Sequence, residues 1–149
     1  MRELDRGAVR GASPPQGESA ASWGEVDALA PHWRPSPGED ALAPVRGQLA
    51  LHREGLVFRA DDVVDCTTGR PVVEVLAGEE IVSASPLSPG SLMTPTRPAG
   101  EWMPRLLRSM RCPGFVVSTA EGPWVFDGPH GVRRAHEVHR RFASGDAAP

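Results

Sequence analysis

Histidine and glutamate side chains that could bind a metal lie together near the end of the sequence, in His136-Glu137-Val138-His139. A zinc-protease motif places its second histidine four residues after the first, with the glutamate as general base. Here the spacing is three, and no cysteine or acidic cluster accompanies His130 as a further ligand. We therefore interpret these histidines as residues of a helix surface or seam, with a metal site as the alternative.

Two other groups of reactive side chains also have simpler interpretations. Asp61, Asp62 and Asp65 carry oxygen atoms that suit a hard cation, but a solvated turn at the end of a strand is the preferred interpretation. Cys112 follows Arg111, whose charge could activate the thiol, but it lacks the second cysteine of a CxxC redox pair. A small buried side chain is the preferred interpretation of this cysteine.

The motifs of covalent and phosphate chemistry are missing from the sequence. No serine lies in a Gly-x-Ser-x-Gly elbow, and no glycine-rich loop is followed by lysine, because the chain contains no lysine. We therefore predict a protein that is not an enzyme and that needs no metal and no cofactor.

A basic segment with one apolar side suggests a contact with a partner or a membrane. Arg105, Arg108 and Arg111 are spaced by three and would lie on one side of a helix, opposite Trp102. Such a segment could lie on an anionic membrane surface. A helix that packs on the core and keeps its arginines in solvent is the preferred interpretation, and membrane attachment is the alternative.

Composition and charge narrow the class of protein. The net charge of -3 argues against general nucleic-acid binding, and no apolar run is long enough to span a membrane. The first residues lack the apolar stretch of a secretory signal, so we expect a cytoplasmic protein, with the inner face of the membrane as the alternative location. Proline and glycine number 16 each, which indicates that part of the chain is unfolded.

The N-terminal residues 1–44 are predicted to form a flexible arm rich in proline and glycine. Within this arm a short helix is possible, because apolar residues recur at helical spacing at Trp23, Val26, Leu29 and Ala30. Tryptophans are unusual in a disordered arm, so Trp23 and Trp33 either dock on the folded domain or contact a partner. Docking on the domain is the preferred interpretation.

Alternating apolar residues predict a series of strands after residue 45. Alternating residues from Val45 and the run 56–59 flank the four-residue loop His52-Arg53-Glu54-Gly55, which is typical of a β-hairpin. Asp61-Asp62 is predicted to end the second strand. Residues 71–76 and 81–85 are predicted as the next two strands.

The C-terminal part of the sequence predicts a second hairpin and a helix. Residues 115–119 and 124–126 form the hairpin, after a long proline-rich loop over residues 86–100. A helix that begins near Pro129 would carry an apolar stripe that packs on the sheet, made of Val132, Ala135, Val138, His139 and Phe142. Residues 144–149 are predicted to be a disordered tail. The fold class is therefore mainly β with a C-terminal capping α-helix.

Two segments of this pattern resemble a known family. Gly47-Gln48-Leu49-Ala50-Leu51, followed by Glu54-Gly55-Leu56-Val57-Phe58, is similar to the opening hairpin of pleckstrin-homology-like domains, including the GRAM type and their bacterial relatives. The segment from Phe115 to Phe126 resembles the late hairpin that precedes their C-terminal helix. The resemblance covers residues 45–143 and implies a strongly bent, partly open β-barrel of about seven strands.

The resemblance also implies a binding role, either for phosphoinositide headgroups or for peptides. Headgroup binders of the family carry several cations on the first hairpin, where this chain has only Arg53 and, at the far end, Arg59. We therefore expect a protein or peptide partner, with an anionic membrane surface as the alternative. The candidate contact residues are Arg53, Arg59, Trp102, Arg105, Arg108 and Arg111, together with Trp23 and Trp33 of the arm.

Overall fold

The computed structural model describes residues 2–7, 15, 17, 19–34, 44–87 and 114–143. Three sequence-based predictions lie wholly or almost wholly outside these residues. They concern the long loop over residues 86–100, the basic segment with Trp102 and the tail 144–149. These three remain predictions.

The described residues form one mainly β fold with a single C-terminal α-helix, as the sequence predicts. The strands are β1 (Arg2–Leu4), β2 (Ala21–Leu29), β3 (Val45–His52), β4 (Gly55–Asp65), β5 (Pro71–Ala77), β6 (Ile81–Pro86), β7 (Phe115–Thr119) and β8 (Gly122–Asp127). They belong to one sheet in the order β1-β4-β3-β2-β8-β7-β6, and β5 pairs with β4. The described part of this sheet is open between β5 and β6, which do not pair.

Both predicted hairpins are present. In β3–β4, Leu49 pairs with Phe58 and His52 with Gly55. The two strands approach closely at Gly47, where a Cβ atom would lie 2.3 Å from the carbonyl oxygen of Arg59, so only glycine fits there. In β7–β8, Thr119 pairs with Gly122 across the turn.

Strand β4 is longer than the sequence predicts. It does not end at Asp61-Asp62 but continues to Asp65, after an irregularity between Arg59 and Val64. The extension is stabilised because β1 pairs in parallel with residues 63–65, which lie beyond the end of β3. Pairing with β1 thus extends β4 beyond Asp61-Asp62, where the local sequence predicts its end.

Strand β2 corrects two predictions, the unstructured arm over residues 1–44 and the short helix within it. Residues 21–29 form an extended strand that pairs with β3 on one side and with β8 on the other. The apparent helical spacing arises from a bulge between Ser22 and Gly24, which shifts the inward-facing positions from Ala21 and Trp23 to Val26 and Ala28. The sheet therefore begins well before the predicted domain boundary at residue 45.

The core is built around a run of aromatic rings on the inner face of the sheet. Successive ring centroids lie 5.2 to 6.3 Å apart along the series Trp23, Phe115, Phe126, Trp124, Trp33 and Phe58. Most of these rings are nearly inaccessible to solvent. Aromatic pairs at these distances stabilise a core beyond the area that they bury.

The C-terminal helix α1 (Gly131–Val138) continues into a π-helical turn (His139–Ala143). Together they pack on β6 and β7, and the π-helical turn also reaches the short 3-10 turn at Gly78–Glu80 that follows β5. Phe142 lies against Gly78, where a Cβ atom would be 2.4 Å from its ring. The helix therefore lies over the gap between β5 and β6.

The predicted apolar stripe of this helix is only partly correct. Ala135 and Val138 are buried as predicted, whereas Val132 is 66% exposed and His139 is also exposed. The buried position is taken instead by Arg134, because its guanidinium reaches the backbone of β2. In the described residues, no helix has both the length and the apolar character needed to cross a membrane.

Candidate functional site

A groove of about 280 Å³ lies between α1, the beginning of β2 and the end of β3. We call this end of the sheet the helix end. Its lining combines three arginines and a histidine with apolar side chains and one glutamate. The lining residues are Ala21, Trp23, Leu51, His130, Arg133, Arg134, Glu137 and Arg141. A basic groove on a chain of net negative charge is a local feature and not a reflection of composition.

The apolar wall of the groove depends on the bulge in β2. The bulge and the positive φ of Gly24 (75°) place Trp23 at the edge of the core instead of within it. The half-buried indole packs edge-on against Phe115, with ring centroids 5.9 Å apart. One side of the ring is therefore fixed by the core, and Trp23 still lines the groove.

Arg134 is the most unusual residue of the groove. It is only 8% exposed, and its Nη2 donates a hydrogen bond to the Trp23 carbonyl oxygen (2.7 Å). Its Cζ lies 5.3 Å from the centroid of the Trp23 ring, which is the geometry of a cation–π contact. Its Nη1 is buried without a hydrogen-bond partner, and no carboxylate pairs with it among the described residues. Burial accordingly lowers the pKa of Arg134.

The rim of the groove is charged and more exposed. Glu137 accepts hydrogen bonds from Arg141 (2.7 Å) and Arg140 (2.8 Å), which lower the pKa of its carboxyl group. Arg133 is exposed and has no ion pair among the described residues. His130 adopts the left-handed conformation, with a φ of 60°, just before the helix begins. The rim therefore offers more positive charge than Glu137 neutralises.

The opposite end of the sheet holds a second set of charges, which we call the Glu74 cluster. Glu74 projects from β5 into the core, where it is 2% exposed and pairs across the strands with Phe58. Arg6 donates to its Oε1, while His32 Nε2 (2.6 Å) and Trp33 Nε1 (2.5 Å) donate to its Oε2. Burial raises the pKa of Glu74, but these hydrogen bonds outweigh burial and the pKa is lowered overall.

The Glu74 cluster joins segments that are distant in sequence. Arg6 also lies 3.6 Å from the buried carboxylate of Asp65 and donates to the Val73 carbonyl oxygen (3.1 Å). Both oxygens of Glu74 are therefore occupied by donors from this protein, and we assign the cluster a structural role.

A third perturbed charge belongs to a half-buried carboxyl group on β8. Asp127 of β8 faces Asp27 of β2 in the sheet, and its Oδ1 is buried without a partner. Burial, together with the neighbouring charge of Asp27, raises the pKa of Asp127 to about 6. The ionised form of this carboxyl group is therefore unfavourable in the folded state, and Asp127 does not line the groove.

Among the predicted contact residues, the four that the structure describes do not lie together. Arg53 lies exposed in the β3–β4 turn and Arg59 exposed on β4, and neither lines the groove. Trp33 is 5% exposed in the core and Trp23 lies at its edge, so both dock on the domain as the preferred interpretation has it. Trp102, Arg105, Arg108 and Arg111 lie outside the described residues.

The other reactive side chains are scattered. His136 and His139 are exposed, as are Asp61 and Asp62, whereas Asp65 is buried against Arg6 and is not part of a solvated turn. Cys66 is an exposed free thiol, and Cys112 lies outside the described residues. Within the described ranges, no group of three histidine, cysteine or acidic side chains could hold a metal ion.

Sequence reasoning did not identify the arginines of the groove as a site. The apolar stripe predicted for the helix leaves Arg133, Arg134 and Arg141 on its other side, so it does not predict that they line one groove. One sequence signal could have distinguished Arg134 from the other arginines. The apolar stripe of the helix is poor, because Val132 is the only large apolar residue of its first turn. A buried arginine cannot be inferred from that pattern without knowing which strand end it meets.

Comparisons with protein-family models, with curated proteins and with solved structures found no match for this chain.

Proposed function

We propose that this protein is a non-enzymatic binding module that docks a protein or peptide segment in the groove at the helix end. The observation that carries the proposal is Arg134, a nearly buried cation that lines the groove and has no carboxylate partner among the described residues. A buried charge without a partner is costly, and such positions are found at functional sites more often than elsewhere. The resemblance to pleckstrin-homology-like domains implies a binding role as well and remains a prediction.

The size of the groove favours part of a larger partner over a free small molecule. Sites for drug-sized ligands usually enclose about 300–1,000 Å³, and this groove lies at the lower limit of that range. A shallow depression lined by His130, Gly131, Val132 and Arg133 adjoins it and shares two of its residues. A partner segment could therefore place one side chain in the groove and rest on the exposed Val132 beside it.

Site-specific photo-cross-linking tests this proposal. We would place benzoylphenylalanine at Val132 and, as a matched control, at Val82, which is 64% exposed on β6 and does not line the groove. We expect a partner protein to be cross-linked from cell extract at Val132 and not at Val82. A recombinant copy of that partner should then bind the wild-type protein about tenfold or more tightly than the Arg133→Glu variant.

Two results would overturn the proposal. Equal cross-linking at the two positions would mean that the surface next to the groove is not selective. A covalent dimer formed through Val132 would assign the surface to a second copy of this chain instead of to a different protein.

A further inference from the structure

We infer that the groove binds the carboxylate of an acidic side chain on the partner segment, with Arg133 and Arg141 as contacts and Arg134 as a positioning residue. The inference rests on the proposed function and names the chemistry of the bound group. It is carried by three independent features of the groove, which are its charge, the composition of its walls and the way in which Trp23 is held.

The groove carries an excess of positive charge, which favours the binding of an anion. Three arginines line it against a single glutamate, and that glutamate is already paired with Arg140 and Arg141. Arg134 is nearly buried and pairs with no carboxylate among the described residues, so an anion bound next to it would offset part of the cost of burying its charge. Arginine is also the side chain whose planar donors match a carboxylate best.

The walls of the groove favour a carboxylate on an aliphatic stem. Trp23, Leu51 and Ala21 supply apolar surface next to the arginines. A glutamate or aspartate side chain has methylene groups that can cover this surface while its carboxylate meets the cations. Inorganic phosphate has no apolar part, so it would leave the same surface in contact with water.

Arg134 connects the bound anion to Trp23. Its Nη2 holds the Trp23 carbonyl oxygen, and its guanidinium stacks on the indole ring, so a charge that attracts this guanidinium will disturb the ring. Trp23 is therefore a reporter placed in the groove itself. Trp33 and Trp124 lie in the core away from the groove lining and serve as internal references.

Nuclear magnetic resonance of the tryptophan indole groups provides the test. We would label the full chain with ¹⁵N, assign the Trp23 signal with a Trp23→Phe variant, and titrate capped tetraglutamate at low salt. Capped tetraglutamine, inorganic phosphate and vesicles that contain phosphatidylglycerol serve as the other probes. We expect a saturable shift of the Trp23 indole with tetraglutamate, a loss of that shift at high salt, and unmoved signals for Trp33 and Trp124.

Substitutions at the rim then locate the bound group. Arg133→Gln and Arg141→Gln should each weaken tetraglutamate binding about tenfold, which corresponds to the loss of one hydrogen bond to a charged group. Arg59→Gln removes the same charge from an exposed site outside the groove and should leave the affinity unchanged. Both rim arginines are exposed, so neither substitution is expected to prevent folding.

Several results would overturn the inference. One is a Trp23 indole signal that does not shift when tetraglutamate is added at low salt. Another is a shift of the same size with tetraglutamine. A third is a loss of affinity in Arg59→Gln as large as in the two rim variants. A stronger response to inorganic phosphate would mean that the groove binds a phosphate group and not a carboxylate. A response to vesicles alone would favour the membrane alternative. If Val132 still cross-links a partner while tetraglutamate is silent, the docking surface stands and only the carboxylate is wrong.

Discussion

Charged side chains are buried at both ends of the sheet, but the two ends differ in whether the buried charge has a counter-ion. At one end, both oxygens of Glu74 receive hydrogen bonds from Arg6, His32 and Trp33. At the other, Arg134 is almost as deeply placed, and among the described residues its partners are the carbonyl oxygen and the indole ring of Trp23, with no carboxylate. The first arrangement pairs its charges within the chain, although Arg6 Nε and His32 Nδ1 are buried without a hydrogen-bond partner. The second leaves a cation that no described carboxylate pairs with and that an external group could meet.

This difference suggests how to distinguish structural buried charges from functional ones. A buried ion whose partners all come from the same chain ties distant segments together and has little left to offer a ligand. A buried ion that lacks a counter-ion and lines a groove is held in place by the fold around it, at a cost in stability. The comparison can be tested by removing each charge in turn and measuring what the fold gains or loses.

The largest effect is expected from Glu74→Gln. The substitution keeps the shape of the side chain but removes the charge that accepts from Arg6, His32 and Trp33, and leaves Arg6 with the more distant Asp65 as its described counter-ion. We therefore expect a loss of about 3–5 kcal/mol in the free energy of unfolding. Urea denaturation at neutral pH measures the loss. The matched control is Glu54→Gln, an exposed glutamate in the β3–β4 turn, which should change stability by less than about 0.5 kcal/mol.

The pH dependence provides a second readout for Glu74. Its lowered pKa means that it stabilises the fold above the usual glutamate pKa of 4.5 and that this contribution disappears as the pH falls below that value. The wild type should therefore lose more stability than Glu74→Gln on acidification. If the two lose stability in parallel, the cluster is not held by the charge of Glu74.

A smaller effect of opposite sign is expected from Asp127→Asn. Its pKa is raised from 3.8 to about 6, so above pH 6 the folded state holds an unfavourable carboxylate that the unfolded chain solvates freely. The full shift would correspond to about 3 kcal/mol, but the carboxyl group is partly solvated, so we expect a gain of about 1 kcal/mol. Thermal unfolding at pH 7 and pH 4 measures it, and the gain should be absent at pH 4, where the wild-type carboxyl group is protonated in the folded state.

The smallest effect on stability is expected from Arg134→Met. Methionine fills a similar volume and removes the unpaired charge, which offsets the lost hydrogen bond to Trp23, so stability should change by less than about 1 kcal/mol. Urea denaturation measures this change, and the tetraglutamate titration of the same variant measures the loss of binding. A destabilisation as large as that of Glu74→Gln would mean that Arg134 is structural and would remove the contrast between the two ends.

Much of the sheet can be predicted because its signals are local. The β3–β4 and β7–β8 hairpins combine alternating apolar residues with a short turn, and all the information needed lies within about twenty residues. Strands β5 and β6 follow from similar runs. The C-terminal helix is also local, although the sequence cannot specify how the helix is rotated, and it was Arg134 and not Val132 that turned out to be buried.

What could not be predicted depends on contacts between distant segments. Strand β2 has a bulge that imitates helical spacing, and its two pairing partners lie later in the sequence. Glu74 occurs in a run of apolar residues, where a polar residue is expected to face solvent, and its partners Arg6, His32 and Trp33 are supplied by residues in the predicted arm. The candidate groove has the same origin, because it forms where β2 meets the helix.

The pairing of β2 with β8 also has a consequence for how the protein is made. Residues 27–29 leave the ribosome well before residues 125–127, their partners in the sheet. Until they arrive, the β2–β5 meander carries an open edge on β2, of the kind that recruits strands from other chains. Because completing the sheet requires this contact between residues far apart in sequence, we expect folding to be slow.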